Sequence, residues 1–322
     1  MKGSKRLTIV IVSYNTREMT LDCLRSVIAE TKQTDFEIIV VDNESHDGSA
    51  ESIAEEFPQI SLIRAGKNLG FAAANNLAVS QTHSDYILLL NPDTVILDNA
   101  IDKLMACAAV HPKARIWGGR TLFGNRNLDP TSCWRRMTLW SLFCHTAGLN
   151  SAFPNSPIFN SEAYGGWRRD SLREVDIVCG CFLLIERSLW EKLGGFDKAY
   201  FMYGEEADLC LRAEHFGASP MITPDATIIH YGGASETVRT DKMIKLLSAK
   251  ARLIQQYWGP LKRTLGLALL QFWPWSRWIA NRGLFVLTAR KKYEDGAKTW
   301  GEVWASRAKW RSGYGELAAK MP

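Results

Sequence analysis

The sequence of 322 residues predicts an α/β protein: a Rossmann-like, mostly parallel sheet flanked by helices, with a helical extension at its C-terminal end. Three observations carry that expectation. Four short, β-branched apolar runs alternate with segments of helical length, two of those runs lead into a carboxylate, and a basic, Trp-rich stretch follows residue 240. Strands alternating with helices at this spacing require right-handed crossovers and hence a doubly wound sheet. The expected division is a catalytic domain over residues 1–240 and an extension over residues 241–322.

Leu7-Thr-Ile-Val-Ile-Val-Ser13 is the first strand, Tyr14-Asn15 a turn, and Thr16 the expected N-cap of a helix reaching about Glu30. Phe36-Glu-Ile-Ile-Val-Val-Asp42 repeats the pattern, with an acid at the strand's end, a polar loop from Asn43 to Gly48 and a helix through Phe57. A third unit runs from Ile60–Arg64 through a loop holding Asn68 and Gly70 to the Ala-rich helix Phe71–Ser80. The fourth strand, within Asp85-Tyr-Ile-Leu-Leu-Leu-Asn-Pro-Asp93, is too short for a typical helix and breaks into a carboxylate. Pro92 denies the ladder a donor and disfavours a helical Asn91. Ligands of open α/β sheets collect beyond the carboxyl ends of strands, where Asp93 can hold a divalent metal against a phosphate. A helix over Asn99–Val110 follows.

From about Ala114 to Glu174 the periodicity weakens, and Trp134, Arg135, Arg136, Trp140, Trp167 and Arg168 stand among Gly, Pro and Asn. The expectation is a long loop region over the active face, its aromatic and Arg side chains either stacking on sugar rings and phosphate or anchoring the surface. Val175–Ile185 reads as a strand, and Trp190–Asp197 as a helix closed by a Gly pair. Phe201-Met-Tyr-Gly-Glu-Glu-Ala-Asp-Leu-Cys-Leu-Arg212 then opens a helix with Glu205, Glu206 and Asp208 in its first turn, where acids suit the macrodipole but can also project into a cleft. Asp208 and Arg212 share a face at i,i+4. Ala226-Thr-Ile-Ile-His230 ends a strand in histidine beside Gly232-Gly-Ala-Ser235, which makes His230 a metal-ligand candidate.

Composition excludes several classes of protein. At 46% hydrophobic and 23% charged the chain is an ordinary folded protein. Seven cysteines, an odd number, and an N-terminus without a signal-peptide core point to a reducing cytoplasm. Cys179-Gly-Cys181 has no second cluster and reads as a small-residue strand rather than a zinc site. The first strand is not followed by Gly-x-Gly-x-x-Gly, which argues against a dinucleotide enzyme. The net charge of +5 conceals an asymmetry, because residues 241–322 hold 16 Lys and Arg against 5 Asp and Glu. No nucleic-acid-reading motif accompanies that charge, and Arg277 and Arg282 interrupt any bilayer span. Helices lying in a membrane interface fit better, with Trp273, Trp275 and Trp278 at head-group depth and Arg290-Lys-Lys292 facing anionic lipid. The alternative is a helical cap on the catalytic domain. On the membrane reading, deletion after about Tyr257 frees the protein from anionic vesicles while sparing the chemistry of residues 1–240.

Taken together, Ile11-Val-Ser-Tyr-Asn15, Val41-Asp-Asn43 with Asp47-Gly-Ser49, Asn68-Leu-Gly-Phe-Ala72 with Asn75-Asn76, Leu90-Asn-Pro-Asp-Thr94, Gly194-Gly-Phe-Asp197, Phe201-Met-Tyr-Gly-Glu205 with Asp208, and His230 with Gly232-Gly233 and Ser235 resemble a family 2 glycosyltransferase of the GT-A fold. The likeness spans about residues 7–240 and is nearest the rhamnosyltransferase-like branch that builds bacterial surface polysaccharides. It implies inverting transfer from a nucleotide-diphosphate sugar to a lipid-linked or glycan acceptor, by a protein working at the inner face of the plasma membrane, with a homodimer left open. Ser13, Tyr14, Asn15, Asp42, Asn43, Asn68, Gly70, Asn76, Asn91 and Pro92 would surround the nucleotide sugar, and Asp93 with His230 would hold Mn²⁺ or Mg²⁺. Two departures stand out. Glu206 occupies the place of the family's usual catalytic Asp, which leaves the base open among Glu206, Glu205 and Asp208, and Asn91 replaces an Asp of the common Asp-x-Asp motif. A catalytically silent nucleotide-sugar binder is the alternative if Glu206 cannot serve as base.

Overall fold

The computed structural model describes residues 6–232 and 239–314; Gly233 and Ser235 lie outside them. Strands Leu7–Ser13 (β1), Phe36–Asp42 (β2) and Ser61–Arg64 (β3) alternate with helices Arg17–Glu30 (α1), Ser49–Glu56 (α2) and Gly70–Val79 (α3), and Tyr86–Leu90 (β4) completes a parallel group in the order β3-β2-β1-β4. Alternate residues of β1 enter two cores: Leu7, Ile9 and Ile11 one, Val10 and Val12 the other. A strand buried on both faces must be apolar throughout, which is why these runs do not alternate with polar residues. Thr16 sits at the N-cap of α1 without capping it; its hydroxyl turns to Thr20, and Asp47 accepts from the Arg17 amide at 2.9 Å instead.

Beyond β4 come Thr94–Ile96 (β5), Ala100–Val110 (α4), Ile116–Leu122 (β6), Leu128–Asp129 (β7), Cys133–Trp134 (β8), the helices Leu139–Ala147 (α5) and Leu149–Ala152 (α6), Arg173–Glu174 (β9) and Ile177–Val178 (β10). The long loop expected over Ala114–Glu174 is therefore wrong in part, since β6 lies well inside the sheet. Gly118 and Gly119 hid it. A Cβ on Gly119 would stand 2.2 Å from the Ala226 carbonyl oxygen and one on Gly118 2.5 Å from Val178, so this strand needs glycine where its neighbours crowd it. The expected strand Val175–Ile185 is interrupted at Gly180, separating β10, paired with β8, from Phe182–Glu186 (β11). β11 runs antiparallel to both β4 and β6, so the sheet is mixed although mostly parallel.

Arg187–Leu193 (α7) ends at Gly194 in a left-handed conformation (φ 70°), and Glu205–Glu214 (α8) follows. Met221–His230 (β12) lies parallel to β6 and antiparallel to β5, which brings His230 opposite Thr94 and so beside Asp93. The extension forms Arg239–Tyr257 (α9), Pro260–Thr288 (α10), Lys291–Ala305 (α11) and Arg307–Trp310 (α12). These helices share a third core with α5, made by Leu142, Ile244, Leu247, Ile254, Leu270, Trp273, Val303 and Trp310. The Thr146 hydroxyl donates to the Leu269 carbonyl at 3.0 Å and Ser276 donates back to Thr146 O at 2.6 Å. Trp273 is accordingly 8% exposed and is not available to a membrane, contrary to expectation, whereas Trp275 is 40% exposed. Among the described residues no helix is long and apolar enough to cross a membrane.

Candidate active site

A cavity of about 920 Å³ opens beyond the carboxyl ends of β1, β2 and β4 and continues beneath α8 and the extension. One rim is built by amides. Asn43 Nδ2 donates to Asn68 Oδ1 at 3.0 Å, the Leu69 amide donates to Asn43 Oδ1 at 2.8 Å, and Asn68 Oδ1 also takes the Gly70 amide at 2.9 Å. Tyr14, Asn43, Asn68, Asn91 and Pro92 face the cavity from this side. Asp42 is buried at the end of β2 with Oδ1 lacking a hydrogen-bond partner, as a residue awaiting a hydroxyl or ring N–H would be.

Several expected contact residues are supports instead. The Ser13 hydroxyl is fully buried and bonded to Thr20 at 3.1 Å. Asn15 takes a positive φ and exchanges hydrogen bonds with the Ser45–His46 loop. Gly70 lets the backbone of α3 approach Phe201, whose carbonyl oxygen would lie 2.6 Å from a Cβ there. Asn76 clamps Phe196 through both its amide atoms, at 2.9 and 3.0 Å. None of the four lines the cavity.

At the cavity's centre, His230 Nε2 is 3.4 Å from Asp93 Oδ1 and 3.5 Å from Asn91 Nδ2, while Nδ1 is 3.6 Å from Asp129 Oδ2. Burial opposes protonation of this imidazole, but the hydrogen bonds and charges of Asp129 and Asp93 outweigh it and raise its pKa to about 10. Asp129, anchored by the Thr131 amide at 2.9 Å, was missed from sequence; its one signal is a lone acid before Pro130. Without an ion the His230 ring is thus protonated against Asp93; only with that proton displaced would the two offer one imidazole and one carboxylate to Mn²⁺ or Mg²⁺. Among the described residues no three His, Cys, Asp or Glu side chains are gathered to hold a metal, so such an ion would need oxygen atoms from a ligand as well.

Across the cavity, α8 begins at Gly204 (φ 85°) and presents Glu205 and Glu206. Each carries a buried Oε2 without a hydrogen-bond partner. Burial raises the pKa of both, and for Glu205 the neighbouring Glu206 charge adds to it. Asp208 is different. It is fully buried, pairs with Arg212 at 2.7 Å, and accepts from Gln256 at 2.8 Å and from the Tyr257 hydroxyl at 2.6 Å. With both oxygens taken and no face on the cavity, Asp208 locks α8 to α9 and does not fit the role of base. Asp93 and His230 thus share one cavity with Glu205 and Glu206, whose Oε2 atoms lack a hydrogen-bond partner, and a displacement needs groups of these two kinds for its leaving group and its nucleophile.

Comparison with known proteins agrees with this geometry. A family model described as glycosyl transferase family 2 matches residues 8–191, more than half of the chain. The N-acetylglucosaminyl-diphospho-decaprenol L-rhamnosyltransferase of Mycobacterium tuberculosis is 28% identical over 237 residues, 70% of this chain and 76% of its own length. The rhamnosyltransferase WbbL of Escherichia coli K12 is 28% identical over 235 residues, 69% of this chain and 82% of its own. Among solved structures, the mannosyltransferase PcManGT of Pyrobaculum calidifontis, in complex with GDP-Man and Mn²⁺, superposes with a TM-score of 0.59 at 17% identity, covering 99% of this chain and 89% of that one.

Proposed function

The chain belongs to glycosyl transferase family 2 and has the GT-A fold, and from that premise we propose that it moves a sugar, with inversion, from a nucleotide-diphosphate sugar to a hydroxyl of a lipid-linked glycan acceptor. The rhamnosyltransferase relatives favour rhamnose and a diphosphate-carried acceptor. The observation that carries the reading is one cavity lined by Asp93 and His230 and also by Glu206, whose Oε2 has no hydrogen-bond partner.

In this reading Asn43 and Asn68 hold the nucleoside, and Asp42, buried at the end of β2 and not lining the cavity, stands behind them. Asp93 and His230 would hold Mn²⁺ or Mg²⁺, and the ion would neutralise charge on the leaving diphosphate. Asp129 and Asn91 flank the His230 ring, at 3.6 Å from Nδ1 and 3.5 Å from Nε2. Glu206 takes the proton of the acceptor hydroxyl as the hydroxyl oxygen attacks the anomeric carbon from the face opposite the diphosphate. Its raised pKa makes it a stronger base than a solvated carboxylate. Glu205, one residue away, is itself pushed well above the carboxylate range by burial and by the Glu206 charge, which leaves Glu206 as the member of the pair that ionises.

The exposed side of the extension supports attachment to an anionic membrane surface. Leu261, Leu265, Phe272, Trp275, Ile279 and Val286 recur at helical spacing along one side of α10 and are exposed, and Lys262, Arg263 and Arg282 are exposed beside them. So wide an apolar stripe is a partner surface by its nature, and each Lys or Arg near anionic lipid contributes about 1 kcal/mol. A homodimer through the same stripe is the competing use, separable by sizing the protein with and without vesicles.

The test is a panel of nucleotide sugars with Mn²⁺, read by thermal shift and then by turnover, on the wild type and on Asp93→Asn. A donor that stabilises and is turned over only with metal and with Asp93 supports the proposal. Near wild-type turnover by Asp93→Asn across a metal titration would contradict the assignment of Asp93.

A further inference from the structure

The cavity has a second polar end, away from Asp93 and His230, where the extension meets the catalytic domain. Glu162 and Trp273, 8% exposed each, line it together with His145 and Lys250. Lys250 donates to Glu162 Oε1, and this pairing with Lys250 and His145 outweighs the burial penalty and holds the Glu162 pKa well below the carboxylate range. Glu162 Oε2, 3.5 Å from His145 Nε2, nevertheless has no hydrogen-bond partner; nor have His145 Nδ1 and Trp273 Nε1. Three buried polar atoms without a hydrogen bond on neighbouring side chains are rare in a folded protein, because each has lost water without gaining a partner. His145 and Trp273 are stacked with ring centroids 4.7 Å apart, which sets a flat apolar wall beside those atoms.

An acceptor carboxylate, an indole N–H donor and an aromatic wall in a water-accessible cavity are the groups that recognise a neutral, hydroxyl-bearing ring. They do not suit a diphosphate, because the one ammonium among them, Lys250, is already neutralised by Glu162. The pocket also adjoins the proposed base: Gly204, which starts the turn into α8, is so close to α9 that a Cβ there would be 3.0 Å from that of Ala249, the residue before Lys250. We propose that Glu162, His145, Lys250 and Trp273 form the subsite for the acceptor's sugar ring, so that α9 and α10 supply part of the active site. This rests on the glycosyl-transfer reading and adds the acceptor's place to it.

Two variants test the subsite. Trp273→Phe removes the indole N–H while keeping an aromatic ring in the core, and Glu162→Gln removes the charge. The probes are short-chain alkyl diphosphates bearing single sugars, N-acetylglucosamine among them, titrated calorimetrically, with nucleotide sugar plus Mn²⁺ as the second ligand. The expected result is a rise in the acceptor probe's Kd, and in its KM, of about tenfold for each variant, with donor Kd unmoved and kcat changed far less than KM. Unchanged acceptor Kd in Trp273→Phe overturns the subsite, and so does a parallel loss of donor and acceptor affinity, which marks a structural role. A wild type that turns over donor but binds none of the probes also overturns it. If the wild type turns over no donor at all, the proposed function falls first and takes this inference with it.

Discussion

Glu206 and Asp208 are two residues apart on one helical turn, and their surroundings send them to different work. Glu206 keeps an unpartnered oxygen in the cavity, whereas Asp208 spends both oxygens on Arg212, Gln256 and Tyr257. Glu206→Gln should lower kcat by about 10²–10⁴-fold while donor Kd holds. Because the base must be ionised and burial raises its pKa, kcat/KM should rise with pH through a value above the ordinary carboxylate range and fall away on the acid side. The adjacent Glu205 makes that apparent value a property of the pair. Asp208→Asn should act on stability, by about 3–5 kcal/mol for breaking a buried pair, visible as a lower unfolding midpoint with kcat per folded molecule kept. The inverse result, with chemistry lost in Asp208→Asn and kept in Glu206→Gln, would reverse the assignment. Asp93, His230 and Glu206 were legible because each is a polar residue closing an apolar run or opening a helix. Asp129 was not, since a two-residue strand carries no period, and the supporting roles of Ser13, Asn76 and Asp208 depend on partners far away in sequence.

At the scale of elements, the first four strands and their helices could be read directly, their runs being apolar on both faces. β6 could not, because Gly118 and Gly119 look like a turn until Ala226 and Phe182 are placed against them. Gly119→Ala should therefore destabilise the sheet by about 1–3 kcal/mol or more, the cost of overpacking, and denaturant titration will show it. Gly283→Ala is the contrast: it lies within α10 with nothing near its added methyl, and should stabilise by about 1 kcal/mol. On the exposed stripe of the same helix, Trp275→Glu together with Ile279→Glu should weaken sedimentation with anionic vesicles at low salt without lowering the unfolding midpoint. Undiminished sedimentation would remove the stripe from the membrane reading.

The whole molecule is tied together more tightly than a domain with a detachable tail. Tyr314, 1% exposed, packs on Tyr200 and donates to the Met202 carbonyl, with the Lys245 carbonyl 3.2 Å from the same hydroxyl, so the far end of the extension holds the turn that leads into Glu205 and Glu206. Deletion after Tyr257 removes Leu270, Trp273, Val303, Trp310 and Tyr314 from shared cores. The sequence-based expectation that such a deletion spares donor hydrolysis is replaced by its opposite: turnover and folded yield should fall together. The sparse metal-ligand set also has a consequence for the intact protein. Mn²⁺ alone should bind weakly, and nucleoside diphosphate should tighten it at least tenfold, with the reciprocal effect of metal on nucleotide required by linkage.

We propose that transfer of the sugar from a nucleotide diphosphate to a glycan hydroxyl inverts the configuration at its anomeric carbon. The most direct measurement is the anomeric configuration of the product formed from a turned-over nucleotide sugar and an alkyl-diphosphate sugar acceptor, read by NMR coupling constants. The account predicts the configuration opposite to the donor's, formed in the wild type and lost with Glu206→Gln. A product that retains the donor's configuration, or binding of nucleotide sugars with no turnover in Mn²⁺ or Mg²⁺, would contradict it.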